Sequence, residues 1–137
     1  MANIVIYENS LGGAQFDPKT QIVHLEFKGV VSPKLGYEIF DAVLEFIKTT
    51  KVKASFHDIS KLEGTFAMMN EYLFTKFFPT MVAQGHSYGA IIVSENVFTQ
   101  FAIESLLQET DGNFTQTFKN HERGYQWLIE SLQNKGN

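Results

Sequence analysis

The segment Tyr88–Ser94, YGAIIVS, constrains the fold more than any other. It is apolar almost without interruption. A strand with one wet face alternates apolar and polar residues, whereas a strand that stays apolar along its length is covered on both faces. The segments around it have helical spacing. One such pattern runs from about Phe66 to Ala83 and stops before Gly85, which stands where a helix C-cap glycine stands. Another opens at Asn96 and is closed by Gly112, with Val97, Phe98, Phe101, Ala102 and Leu106 as its apolar stripe. Helices on both sides of a doubly covered strand imply parallel pairing through crossovers.

The remaining pattern completes an α/β chain. NIVIYE reads as a strand, SLGGAQ as a turn or bulge, and Asp17-Pro18 as the start of a type I turn. QIVHLEFKG alternates, with Val23, Leu25 and Phe27 facing one way and His24, Glu26 and Lys28 the other. It reads as the return arm of an N-terminal hairpin. Ser32-Pro33 is an N-cap followed by proline at the first helical position. Leu35, Ile39, Val43, Phe46 and Ile47 then mark a helix that ends near Thr49 or Thr50. VKASFHD and NFTQTFK read as strands, and HERGYQWLIESLQ as a closing helix anchored by Tyr125, Leu128, Ile129 and Leu132. The predicted order is ββαβαβαβα in one domain, 1–137: a mixed β-sheet with an antiparallel N-terminal hairpin and helices packed on the sheet.

Composition narrows the function. The 137 residues carry a net charge of -4 and 44% hydrophobic side chains, which predicts a packed core and disfavours a nucleic-acid partner, since phosphates require a basic patch. The absence of cysteine excludes disulfides, thiolate catalysis and cysteine-based zinc sites. No apolar run is long enough to span a bilayer, and MANIVIYENS lacks a secretory pattern, so a soluble, cytoplasmic protein without membrane insertion is expected.

Gly85-His86-Ser87-Tyr88-Gly89 matches the G-x-S-x-G pattern of a serine nucleophile elbow. An elbow follows a strand and opens a helix. Here a helix precedes the motif and a strand follows, which places Ser87 at the wrong end of the sheet. Asp111 and His121 follow in hydrolase order, but the predicted elements keep the three apart. A hydrolase at Ser87 is therefore the weakest of three readings, and no enzyme activity is expected.

The segment ASFHDIS resembles the strand and D-x-S turn of STAS domains, the fold of anti-sigma-factor antagonists. FFPTMVAQGHSYGAIIVSENVF resembles the SpoIIAA-like group, which is related in fold to CRAL-TRIO lipid-transfer domains. The resemblance implies a STAS-like domain that binds other proteins. It also implies a phosphorylated residue just after the D-x-S turn, where this chain has Glu63, Gly64 and Thr65 in place of the family's Ser-rich character.

Ligands of open α/β sheets gather beyond the carboxyl ends of the strands. The loop containing His57, Asp58, Ser60, Glu63 and Thr65, together with Glu95 and Asn96, is the predicted partner-binding or phosphate-switch surface. Ser60-x-x-Glu63 also fits a capping box, and Thr65 and Asn96 fit helix caps. Asp58 and Glu63 lack a ligand cluster of fixed spacing, so neither a metal nor a cofactor is expected. The helix over 66–83 has more apolar residues than one stripe requires, and Pro79 interrupts its hydrogen-bond ladder. Phe66, Met69, Leu73, Phe77 and Met81 suffice to cover the sheet. Met68, Tyr72, Phe74, Phe78 and Val82 are the excess, assigned to a homodimer contact or, alternatively, to an apolar small molecule or lipid in a cleft beside the helix. The leading expectation is a non-catalytic interaction or regulatory domain with a protein partner not yet identified.

Overall fold

The structure, a computed structural model, describes residues 2–63, 72–85, 88–94 and 114–135. Strands β1 (Ile4–Asn9), β2 (Gly12–Asp17) and β3 (Ile22–Gly29) are followed by helix α1 (Pro33–Ile47) and strand β4 (Ala54–Leu62). A π-helical segment, Leu73–Phe77, runs directly into α2 (Phe78–Ala83). Strands β5 (Tyr88–Ile92) and β6 (Phe114–Phe118) and helix α3 (His121–Lys135) complete the described elements. The helix predicted between Asn96 and Gly112 lies outside the described residues, as does the start of the helix predicted from Phe66.

The strands form one six-stranded sheet in the order β1-β2-β3-β4-β5-β6. The first two pairings are antiparallel and the last three parallel. The mixed α/β class is as the sequence implies, with one strand more. Of SLGGAQ only Ser10-Leu11 form the tight β1–β2 turn, and the two glycines open β2. A Cβ at Gly13 would stand 2.7 Å from the Tyr7 carbonyl oxygen, and one at Gly12 2.9 Å from that of Glu26. The glycines therefore permit close backbone approach beside a register shift between Val5 and Tyr7. The second turn falls where Asp17-Pro18 places it but closes over one residue more than a type I turn: Asp17 Oδ1 accepts from the Lys19 N–H at 2.9 Å, and the Asp17 carbonyl accepts from the Gln21 N–H at 2.7 Å, with Gln21 at a φ of 60°.

Strand order decides which face each helix covers. The sheet advances one way at each crossover, and right-handed crossovers in one direction bring their helices to the same face. α1 and α2 pack together on the face that carries Val23, Leu25, Phe27, Ile91 and Val93. α1 starts as predicted, with the Leu35 N–H donating to Ser32 Oγ at 3.2 Å. Among the described helices only α3 covers the opposite face, packing on β4, β5 and β6 around Phe56, Ala90, Ile92 and Leu128. Its start is capped by Asn120 Oδ1, 3.0 Å from the Arg123 N–H. Gly124 lets α3 sit close to the sheet, since a Cβ there would fall 2.5 Å from Ile92 Cδ1.

The helix containing Pro79 adapts as a π turn. Proline removes a backbone donor and crowds the preceding turn, and a wider turn relieves both. The extra residue per turn rotates the buried stripe, so consecutive Phe77 and Phe78 both enter the core with Met81, all at most 1% exposed. Phe78 is thus a core residue and not the exposed dimer or ligand contact inferred from its spacing.

A Gly13→Ala substitution is expected to destabilise the fold by about 1–3 kcal/mol, because the clash is with backbone that cannot rotate away. The shift of the urea unfolding midpoint measures it; an unchanged midpoint would contradict the close approach.

Candidate functional site

The residues proposed for the carboxyl rim do not form one loop. β4 continues as a strand through Leu62. Between Glu26 and Lys28 of β3 the pairing partner advances from Asp58 to Lys61, so β4 bulges at Ile59–Ser60. Asp58 Oδ1 closes the bulge by accepting from the Ser60 N–H at 3.0 Å and from Ser60 Oγ at 2.6 Å. The D-x-S sequence makes an Asx bond within a strand instead of ending it. The capping box is absent, because the Glu63 N–H donates to the Gly29 carbonyl at 2.8 Å. Asp58 and Ser60 are part-buried and Glu63 is exposed at the rim. Thr65, Glu95 and Asn96 lie outside the described residues.

His57 is not part of that surface. It is 4% exposed and points into the α1–α2 layer, with its ring centroid 5.8 Å from Phe77, 6.1 Å from Phe78 and 6.4 Å from Phe40. Its Nε2 lies 2.8 Å from Ser55 Oγ. Ser55, Gly89 and Thr115 are in register across β4, β5 and β6. A Cβ on Gly89 would stand 2.9 Å from Thr115 Oγ1 and 3.4 Å from Ser55 Oγ. Glycine thereby leaves room for a buried polar strip inside an apolar layer. The Ser55–His57 contact has the distance of a nucleophile and its base, but Ser55 is 0% exposed and closed to substrate.

The elbow motif keeps its predicted direction. Gly85 follows α2 with φ at +90° and Tyr88 opens β5. His121 begins α3, three residues after the carboxyl end of β6. His86, Ser87 and Asp111 themselves lie outside the described residues.

Of the excess apolar residues, Tyr72 is engaged within the chain. Its hydroxyl donates to Asp41 Oδ1, which Lys76 Nζ also reaches at 3.2 Å, and its ring lies 5.1 Å from that of Tyr37. Burial, then the bond to Asp41, pushes the Tyr72 hydroxyl above its ordinary pKa. Val82 is half-buried. Met68 and the Phe74 side chain lie outside what is described.

Two exposed features went unmarked in the sequence. The first is at the carboxyl ends of β3 and β4. Gly29, with φ at +68°, turns the chain outward, and Val30 behind it is 72% exposed. Leu11, 37% exposed, leans over Gly29, where a Cβ would stand 3.1 Å from its Cδ2. Leu11, Val30 and Glu63 thus share one rim. The second is a groove of about 400 Å³ on the face that α3 leaves open, bordered by Gln15, His24, Glu26, Phe56, Asp58 and His121. His24 stacks on Phe56 at 5.6 Å and 17°, and His121 packs on the same ring at 4.8 Å. Neither feature had a local signature, because each depends on register between strands.

Burial lowers the His24 pKa below its ordinary 6.5, with His121 adding to the effect and Asp17 opposing it. The unfolded chain therefore binds the His24 proton more readily than the folded one. The contribution of His24 to stability is present in full above pH 6.5 and is lost as pH falls from there through the lower folded value. The urea midpoint is expected to drop between about pH 7.5 and about pH 5.5, and to drop less in His24→Phe, which keeps a ring against Phe56. An identical pH profile for the two proteins would refute this.

No family model and no curated protein matches the chain. Solved structures do. An uncharacterized protein of the DUF3478 family with a SpoIIAA-like fold, from Shewanella loihica PV-4, is similar with a TM-score of 0.58 at 17% identity, over 93% of this chain and 96% of that one. SiaC of Pseudomonas aeruginosa is similar with a TM-score of 0.52 at 14% identity, over 86% of this chain and 100% of that one. The chain has a SpoIIAA-like fold, as the resemblance to STAS domains implied.

Proposed function

We propose that this SpoIIAA-like chain is a non-catalytic, regulatory protein-binding domain whose partner docks on the rim formed by Leu11, Val30, Ser60 and Glu63. Thr65, Glu95 and Asn96, which follow β4 and β5 in the chain, belong to the same proposed surface. The observation that carries the reading is Val30, a branched apolar side chain left 72% exposed beside Leu11 at the carboxyl ends of the strands. Apolar anchors ringed by polar groups are what protein interfaces bury. Among the described residues no group of three or more His, Asp or Glu side chains is placed to hold a metal, and no helix is long and apolar enough to cross a membrane. A second copy of the chain is one partner such a rim accepts.

A photo-crosslinking amino acid at Val30 is expected to join the protein to a discrete partner in its native cells, or to a second copy of itself. The same group at Gln133, exposed on α3, is expected to give no such product. Equal products at both positions, or none at Val30, would remove the reading.

A further inference from the structure

The open sheet face carries like charges in register. Cross-strand pairing aligns Glu8, Gly13, Glu26 and Asp58 in one row over four adjacent strands. Neighbouring strands lie about 4.8 Å apart, and like charges directly opposite one another are destabilising. Gly13 contributes no side chain, so the groove opens between Glu8 and Glu26. The cation among the residues bordering this groove is Lys28, 3.8 Å from Glu26 and itself half exposed. Asp58 spends one oxygen on Ser60. His24, with its lowered pKa, supplies an uncharged ring at neutral pH.

The groove is also continuous with the rim. Lys28 and Gly12 border it, and the Lys28 N–H donates to the Leu11 carbonyl at 2.9 Å. A partner seated on Leu11 and Val30 therefore extends over the acidic row. We propose that the face formed by β1, β2, β3 and the Asp58 end of β4 docks a segment of the partner protein that bears arginine or lysine, with one cationic head placed over Glu26 and Asp58. Arginine suits the site best, because its planar fork engages carboxylates through two parallel hydrogen bonds. The inference rests on the partner-binding reading and names the chemistry of the partner. It also accounts for the in-register carboxylates, whose mutual repulsion an incoming cation relieves.

The test uses the whole chain, a hexa-arginine peptide as probe, and amide chemical shifts as readout. Hexa-arginine is expected to move the amides of Gly13, Glu26 and Asp58, with binding that weakens as salt rises. Hexa-glutamate is expected to move none of them. The double variant Glu26→Gln, Asp58→Asn should weaken hexa-arginine about tenfold or more. It should melt no lower than the parent, since two repelling charges are gone; if it does melt lower, Glu8→Gln alone must weaken the probe. Shifts spread equally over Glu45, Glu122 and Glu130 would overturn the proposal. So would undiminished binding by the variants, or equal affinity for free agmatine, which would make the groove a small-molecule site. Crosslinking at Val30 together with failure of hexa-arginine would sink this inference and leave the partner reading standing.

Discussion

The architecture depends on a sheet that adds strands in one direction only. From β4 to β6 each strand pairs in parallel with the one before it. The right-handedness of crossovers then commits α1 and α2 to one face. Among the described helices it is α3 that covers the other face, lying over β4, β5 and β6 and meeting β3 where Tyr125 packs beside His24. Among the described residues the antiparallel half of the sheet therefore has a helix on one side only. The two unlike faces of β3, with Val23, Leu25 and Phe27 buried and His24, Glu26 and Lys28 turned outward, are the local expression of that rule.

Glycines set how closely the layers approach. Gly13 lets β1 and β2 meet at a bulge, Gly89 makes room for the hydroxyls of Ser55 and Thr115, and Gly124 seats α3 against Ile92. Each replaces a side chain that would collide with its neighbour. The buried polar strip on the α1–α2 face is compatible with an apolar layer because its groups meet one another, as His57 does Ser55. The bulge in β4 is similarly supported by the carboxylate of Asp58. These are short-range solutions to steric and hydrogen-bonding demands that the sheet topology imposes.

Much of this was legible in the chain. Hydrophobic period distinguished doubly covered β5 from half-covered β3, Ser32-Pro33 marked the start of α1, and Gly85 marked the end of α2. The misreadings share a cause. Gly12-Gly13 and Asp58-x-Ser60 are turn signals by composition, yet strand pairing turned the first into β2 and the second into a bulge, because ladder hydrogen bonds outweigh weak local preferences. Phe78 was placed outside the core by helical spacing, and the π turn before Pro79 brought it in. His57 was placed on the rim by its nearness in sequence to Asp58, but alternate strand residues face opposite sides.

By itself the sequence determined the α/β class, the direction in which β5 enters the sheet, and which face of β3 is apolar. Those properties follow from local periodicity and from caps, which act over a few residues. Only the tertiary structure decided that Leu11 and Val30 share a rim and that Glu8, Glu26 and Asp58 form one row. Those neighbours come from different strands, and the register that aligns them is set by packing and pairing across the whole sheet.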